Sequence, residues 1–129
     1  MFLHIEAHNG LAVYDQIVRQ VKFAVADGSL AAGDMAPSVR ELAKDLAINP
    51  NTVARAYRQL QDEEVLTSIR GTGLAVASGA RRACQAERKR LIRTRLHDVL
   101  AEAHSSGLDE AQIQTLFQAE LVSARRKQR

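Results

Sequence analysis

"PSVRELAKDLAINPNTVARAYRQL" occupies residues 37–60, and its pattern decides the fold. Ser38 followed by Glu41 is typical of a capping box, in which a serine side chain binds a backbone N–H in the first turn of a helix. Asn49 is a good cap for a second helix, and Pro50 suits the first helical position, where no backbone N–H is needed. The stretch therefore predicts two short helices separated by a tight turn.

Apolar residues recur at steps of three and four along both helices, which gives each of them one side to bury. These residues are Val39, Leu42, Ala43 and Leu46 in the first helix, and Val53, Ala56, Tyr57 and Leu60 in the second. Ile48 is expected to fill the corner between them. Two short helices joined by so tight a turn form the helix-turn-helix arrangement.

The residues before this stretch predict another helix and a short strand. Apolar side chains from Tyr14 to Val25 follow the helical period, and Gly28 is placed to end the helix in the left-handed conformation. Residues 2–6 alternate between apolar and polar, which favours a short strand with a turn at Asn9-Gly10.

The residues after it predict a β hairpin. "VLTSIRGTGLAVA", residues 65–77, contains two runs of strand-forming residues around a glycine-rich turn. A hairpin directly after the second helix of a helix-turn-helix is a wing. We therefore predict a mainly α fold with a small β wing, in which residues 1–78 form a winged helix-turn-helix domain.

Residues 79–129 are predicted to form a helical hairpin that serves dimerisation. A long helix over 80–106 is followed by Asp109 and Gln112, a capping pair for a last helix. Two amphipathic helices on a short loop do not bury both of their apolar stripes, so a second copy of the chain is the natural partner. The predicted dimerisation residues are Leu91, Ile92, Leu96, Val99, Leu100, Ile113, Leu116, Phe117 and Leu121.

The composition limits the class of protein. The chain has 129 residues, of which 46% are hydrophobic, enough for one ordinary domain or a small domain with an appendage. No apolar run approaches the ~20 residues of a membrane span, and the N-terminus lacks the features of a signal peptide. A soluble, cytoplasmic protein that does not bind membranes is therefore expected. Acidic side chains are in excess in residues 1–78 and basic side chains in residues 79–129.

An enzyme is not expected, because no nucleophile–base pair, phosphate-binding glycine loop or carboxylate pair is apparent. No cofactor is predicted. His97 and His104 are seven residues apart, whereas metal-binding pairs on a helix usually lie three or four apart, so no metal site is predicted. Cys84 is the only cysteine, and no second cysteine within the chain can resolve its oxidised form.

Three segments together resemble the winged-helix domain of the GntR family of bacterial transcription regulators. They are "YDQIVRQVKFAVADGSLAAGD" at residues 14–34, the stretch at residues 37–60, and "RGTG" at residues 70–73. "INPNTVARAY" followed by only a two-helix appendage is most similar to the YtrA subfamily. The resemblance implies a homodimeric repressor whose second motif helix enters the major groove of a palindromic operator while the wing approaches the minor groove. Such regulators often control transporter operons.

The first turn of the second motif helix presents unpaired N–H groups and a positive dipole end, which suits DNA. An asparagine there can also form two hydrogen bonds with adenine. Positions that match the family motif give the predicted DNA contacts Arg40, Asn49, Asn51, Thr52, Arg55, Arg70 and Gly71, with Arg58 and Lys44 as phosphate contacts.

Some residues leave alternatives open. Glu64 stands where such proteins commonly have a glycine, and a positive φ there would cost about 1 kcal/mol. Arg81 and Arg82 are candidates for phosphate contacts, whereas the cations from Arg88 to Arg95 fit a solvated helix face. The acidic excess of residues 1–78 also permits a winged-helix module that binds protein instead of DNA. The sequence identifies no small-molecule effector.

Overall fold

A computed structural model describes residues 3–6 and 10–127 of the chain. Within them, five helices and two strands follow in order: α1 Val13–Asp27, α2 Val39–Leu46, α3 Pro50–Asp62, β1 Leu66–Ile69, β2 Gly73–Val76, α4 Ala80–Ser105 and α5 Glu110–Lys127. The predicted fold class, mainly α with a small β wing, is therefore confirmed. The chain divides into two compact units, Met1–Lys89 and Arg90–Arg129.

The core of the first unit forms around α1 and α3. The apolar side of α1 is buried, and α1 packs against α3, which in turn packs against α2. The buried side chains at the centre of this core are Ile17, Val18, Val21, Val25, Val53, Leu60 and Leu66. Gly28 ends α1 with a φ of 89°, as its position in the sequence predicts.

The wing is a two-stranded antiparallel sheet. Leu66 of β1 pairs with Val76 of β2, and the pairing continues to Ile69 opposite Gly73. The loop before α2 also contacts β2, because Met35 forms an isolated bridge with Ala75. This loop therefore connects the wing to the start of α2, a contact that local sequence patterns do not indicate.

The first turns of α4 belong to the core of the first unit. Ala80 and Cys84 are buried, and Nε2 of Gln85 donates a hydrogen bond to the carbonyl oxygen of Ala26 at 3.1 Å. This packing carries the compact unit to Lys89. The functional boundary expected at residue 78 stays a prediction.

The strand predicted at residues 2–6 is wrong for residues 3–6, which form no strand. Side chains of α1 take the place of a neighbouring strand. The amide of Gln16 accepts a hydrogen bond from the backbone N–H of Glu6 and donates one to its carbonyl oxygen, and Gln20 does the same with His4. Phe2 and Asn9, which belong to the predicted strand and turn, lie outside the described residues.

Lys22 is a buried cation in the middle of α1, with 2% of its surface exposed. Its Nζ lies 2.8 Å from Oε1 of Glu63, directly after α3, and 3.0 Å from Oε1 of Glu87 in α4. Burial lowers the pKa of Lys22, but hydrogen bonds to the two carboxylates outweigh this effect, so its pKa stands above the ordinary value of 10.5. Three helical segments therefore meet at one ion cluster.

Glu64 adopts a φ of 62°. This is the positive value considered above for the position at which similar proteins commonly have a glycine. The side chain of Glu64 is exposed. We expect Glu64→Gly to stabilise the protein by about 0.5–1 kcal/mol, because glycine adopts this conformation without steric strain. Urea unfolding measures the change. Glu64→Ala is the control, since it removes the same side chain but keeps the Cβ. An equal gain in the alanine variant would show that backbone strain is not the cause.

Candidate DNA-binding surface

The turn between α2 and α3 is built by local hydrogen bonds. Oγ of Ser38 accepts from the backbone N–H of Glu41 at 3.0 Å, and Oδ1 of Asn49 accepts from the backbone N–H of Asn51 at 2.8 Å. Between these caps, Ala47 takes a left-handed φ of 54°. Both predicted caps are confirmed, and with them the helix-turn-helix arrangement.

Asn49 and Asn51 differ in which side-chain hydrogen-bonding groups are available to DNA. The side-chain oxygen of Asn49 already accepts the capping hydrogen bond, so the cap fixes the orientation of its amide and uses one of the two lone pairs of that oxygen. Asn51 is exposed, and its side chain forms no hydrogen bond within the described residues. A two-bond contact with adenine needs one donor and one acceptor, which makes Asn51 the better placed of the two. Thr52 is half-buried beside them.

Arg40 lies in the first turn of α2, where the helix dipole is positive. It is exposed, and no acidic side chain of the described residues forms an ion pair with it. Lys44 follows four residues later, so both cations lie on the same side of the exposed surface of α2. This pair is suited to an anion from outside the protein.

Arg55 stacks on an aromatic ring that the sequence analysis assigned only to the apolar stripe of α1. Its guanidinium carbon lies 3.7 Å from the centroid of the Tyr14 ring. The two residues are far apart in sequence, so no local pattern indicates the pairing. Arg58 is also exposed, and no ion pair holds it among the described residues.

The tip of the wing exposes Arg70 and bare backbone. Gly71 has a φ of 75°, and a Cβ added there would meet no atom within 4 Å. The glycine is therefore required by the backbone conformation and not by crowding. The N–H of Thr72 donates to the carbonyl oxygen of Ile69 at 2.9 Å, which closes the turn. The arrangement leaves Arg70 and the backbone at Gly71 accessible.

Tyr57 connects α3 to the beginning of α2. Its hydroxyl donates a hydrogen bond to the carbonyl oxygen of Pro37 at 2.8 Å. Burial raises the pKa of Tyr57, and the nearby carboxylate of Glu41 raises it further, so the hydroxyl stays a donor. This bond holds the segment before Arg40 against the helix that carries Asn51.

Arg81 lies against the C-terminal end of α1. Nη2 of its guanidinium lies 3.3 Å from the position that a Cβ on Gly28 would occupy. The last turn of α1 contains no basic residue of its own. The pKa of Asp27 in that turn is lowered, mainly by hydrogen bonds from Ser29 and further by Arg88 and Arg81. These two arginines therefore also complement the negative end of α1. The phosphate contacts predicted for Arg81 and Arg82 stay a hypothesis.

The second unit keeps much of its apolar surface exposed. Asp109 and Gln112 form the predicted reciprocal cap of α5, with hydrogen bonds of 2.8 and 2.9 Å. No described residue of α5 is buried. The exposed large apolar residues are Ile92, Leu96, Val99, Leu116, Phe117, Leu121 and Val122, whereas Leu91, Leu100 and Ile113 are half-buried. Val122 is the member of this surface that the sequence analysis missed.

Other candidate sites are weaker within the described part of the chain. No group of three or more His, Cys, Asp or Glu side chains there lies close enough to hold a metal ion, and His97 and His104 are exposed. Cys84 is buried, and burial raises the pKa of its thiol. None of the described helices has the length and apolar character that crossing a membrane requires.

Comparison with known proteins gives a consistent result. A family model described as "Bacterial regulatory proteins, gntR family" matches residues 13–76. The HTH-type transcriptional repressor YtrA of Bacillus subtilis is 32% identical over 107 residues, which cover 83% of this chain and 82% of that protein.

Solved structures extend the similarity to most of the chain. A transcriptional regulator from Oenococcus oeni superimposes with a TM-score of 0.63 at 32% identity, over 93% of this chain and 99% of that one. YtrA from Sulfolobus acidocaldarius, described as a GntR-family transcription factor, gives a TM-score of 0.58 at 31% identity, over 78% of this chain and 99% of that one.

Proposed function

Because this chain belongs to the GntR family of bacterial regulatory proteins, and within it to the YtrA subfamily, we propose that it is a homodimeric repressor of a two-fold symmetric DNA operator. The coarser function follows from the family: the chain is a DNA-binding transcription regulator and not an enzyme. Repression is proposed from the Bacillus relative, which is described as a repressor. A cytoplasmic location, where bacterial DNA is accessible, belongs to the same proposal, as does a transporter operon as the target.

The observation that carries the proposal is the exposed first turn of α3. Asn51 extends from this turn with a free donor and a free acceptor, and the N–H groups of the turn give it a positive potential. Such a helix end can enter the major groove and read base edges. Asn51, with Asn49, Thr52 and Arg55, is the set proposed to specify sequence.

The cations around α3 support a division of labour. Arg40 and Arg58 are exposed and lack ion-pair partners within the described residues, and Arg70 lies at the tip of the wing. Side chains of this kind bind phosphates of any sequence and hold the protein on the duplex. The bare backbone at Gly71 suits a close approach to the minor groove. These positions are proposed to supply affinity, while the end of α3 supplies specificity.

The apolar surface of the second unit supports the homodimer. Residues on both helices of this unit expose aliphatic and aromatic side chains, a Phe at 46% exposure among them. Contiguous apolar surface on a protein marks an interaction site. We propose that a second copy of the same chain covers this surface. The two copies then place one α3, the recognition helix, at each half of a symmetric operator.

Arg40→Ala and Asn51→Ala test this function together. We expect Arg40→Ala to weaken binding to operator and unrelated DNA alike, and to reduce the slope of log K against log salt by about 0.9, the value for one phosphate contact. Asn51→Ala is expected to relax the preference for one base pair by about 1–3 kcal/mol with little change in the salt slope. Fluorescence anisotropy with the promoter of the protein's own operon, and with base-pair variants of it, measures both quantities.

Arg93→Ala is the matched control, because it removes one exposed cation from a face predicted to be solvated. Its salt slope is expected to equal that of the wild-type protein. Identical behaviour of the Arg40 and Asn51 variants would contradict the division of labour. Wild-type binding that is absent, or insensitive to salt, would favour the alternative of a protein-binding winged helix, which the acidic excess of residues 1–78 permits.

A further inference from the structure

Tyr14 and Arg55 form a contact between two helices that lie side by side. The guanidinium carbon of Arg55 in α3 is 3.7 Å from the centroid of the Tyr14 ring in α1. We propose that Tyr14 is a positioning residue for DNA recognition, which holds Arg55 in the orientation that contacts a base or phosphate of the operator. The inference rests on the proposed function, because it assumes that Arg55 meets DNA.

The ring of Tyr14 is a firm support. It is half-buried and packs against the core, close in sequence to the fully buried Ile17 and Val18. Since α1 also packs along α3, the position of the ring is fixed relative to the first turn of the recognition helix. Arg55 itself is exposed. The solvent-accessible guanidinium of Arg55 is therefore held against the Tyr14 ring, whose position the core fixes.

Stacking leaves the hydrogen-bonding groups of the arginine available. A guanidinium contacts an aromatic ring through its flat face, whereas its N–H donors point outward in the plane. A carboxylate partner would instead occupy those donors and cancel the charge. Arg19 has such an acidic neighbour, because its Nε lies 3.3 Å from Oδ2 of Asp15 in the same helix, and the opposite charge offsets its own. Arg55 is thus oriented while its charge and donors stay free for DNA.

Stacking on Tyr14 preorganises the side chain of Arg55 for binding to DNA. An unrestrained arginine loses the freedom of four side-chain torsions when it binds, and this loss weakens the contact. The ring restricts Arg55 before DNA arrives. Arg58, three residues further along α3, is exposed without an aromatic ring beneath it among the described residues. It provides an internal comparison on the same helix.

The test compares Tyr14→Leu, Tyr14→Phe and their combinations with Arg55→Ala. We expect Tyr14→Leu to weaken operator binding roughly two- to fivefold, the range for an exposed cation–π contact. Tyr14→Phe keeps the ring, so it is expected to bind as the wild type does. The effect of Tyr14→Leu should vanish in an Arg55→Ala background and persist in an Arg58→Ala background. Anisotropy titrations measure affinity, and urea midpoints verify that each variant is folded.

Base preference adds a readout that packing alone would not change. If Arg55 contacts a base, Tyr14→Leu and Arg55→Ala should relax the preference at the same position of each half-site. If Arg55 contacts a phosphate, both should lower the salt slope and leave the preference unaltered. Either result supports the inference, because the two variants change the same quantity.

Three results would overturn it. A loss in Tyr14→Phe as large as that in Tyr14→Leu would assign the effect to the hydroxyl. A loss in Tyr14→Leu that persists without Arg55 would show that Tyr14 acts by another route. Unchanged operator binding by Arg55→Ala would show that Arg55 does not contribute a contact with DNA. In each case, the proposed function would still stand if Arg40→Ala and Asn51→Ala behaved as expected. If those two variants also departed from expectation, the proposed function would have failed as well.

Discussion

Phe117→Glu is expected to convert the protein from a dimer into a monomer and to weaken operator binding by about 100-fold or more. Phe117 lies on α5 with 46% of its surface exposed, next in sequence to the exposed Leu116. In a dimer that buries this surface, the glutamate would be removed from water without a partner. A monomer would bind each half-site separately, so the gain in affinity from two linked contacts would be lost.

Thr115→Glu is the matched control for this variant. It adds the same charge to the same helix at an exposed position, but this position lies about 160° around the helix from Phe117 at 3.6 residues per turn. The helix neighbours of position 115 three and four residues away are Ala111, Gln112, Gln118 and Ala119, none of them a large apolar residue. Sedimentation velocity measures the mass of each variant, and anisotropy measures its affinity for the operator. We expect Thr115→Glu to stay dimeric. A Phe117→Glu protein that also stays dimeric would show that the apolar surface of the second unit is not the dimer interface.

Lys22→Met is expected to lower the free energy of unfolding by about 2–3 kcal/mol. Removing one partner from a buried ion pair commonly costs 3–5 kcal/mol, and the estimate of about 2–3 is smaller because the remaining carboxylates reach water. The side chain of Glu63 is 37% exposed and that of Glu87 25%. Methionine preserves the volume and length of the lysine stem, so the change isolates the charge. Urea unfolding measures the difference.

The pH dependence of this loss has a definite sign. Because the pKa of Lys22 in the folded protein stands above 10.5, its contribution is complete below pH 10.5 and disappears as the pH rises through the folded value. The difference in stability between wild type and Lys22→Met should therefore shrink above pH 10.5. A constant difference across that range would mean that lost packing, and not charge, causes the effect.

Two further variants sharpen the comparison. Lys44→Met removes an exposed lysine from α2 and is expected to change stability by less than about 0.5 kcal/mol. Adding Glu63→Gln and Glu87→Gln to Lys22→Met removes the two negative charges that the lysine had balanced and should recover part of the lost stability. An unchanged stability in Lys22→Met alone would mean that the cluster contributes nothing net.

Local interactions explain which parts of the fold the sequence predicts. The caps at Ser38, Asn49 and Asp109 each bind a backbone group two or three residues away, so a few neighbouring residues determine them. The β hairpin depends in the same way on its own short turn. The strand prediction is wrong for residues 3–6, because alternation describes exposure and not hydrogen-bonding partners, which Gln16 and Gln20 supply from α1.

The candidate site is less predictable, because its decisive contacts join distant residues. The sequence places Arg55 on the exposed side of α3, but only the packing of α1 on α3 brings Tyr14 beneath it. It likewise suggests that Asn49 is both a cap and a base contact, whereas the structure shows the cap occupying the side-chain oxygen. Lys22 lies outside the predicted apolar stripe, and nothing local indicates two acidic partners.

The burial of Cys84 leaves the chain without an accessible thiol, since it is the only cysteine in the sequence. Its raised pKa also keeps the sulfur in the protonated form that reacts slowly with maleimides. A fluorophore or spin label aimed at a cysteine introduced on the wing or on α5 will therefore attach at one defined place. The native protein needs no prior removal of its own thiol for distance measurements in solution.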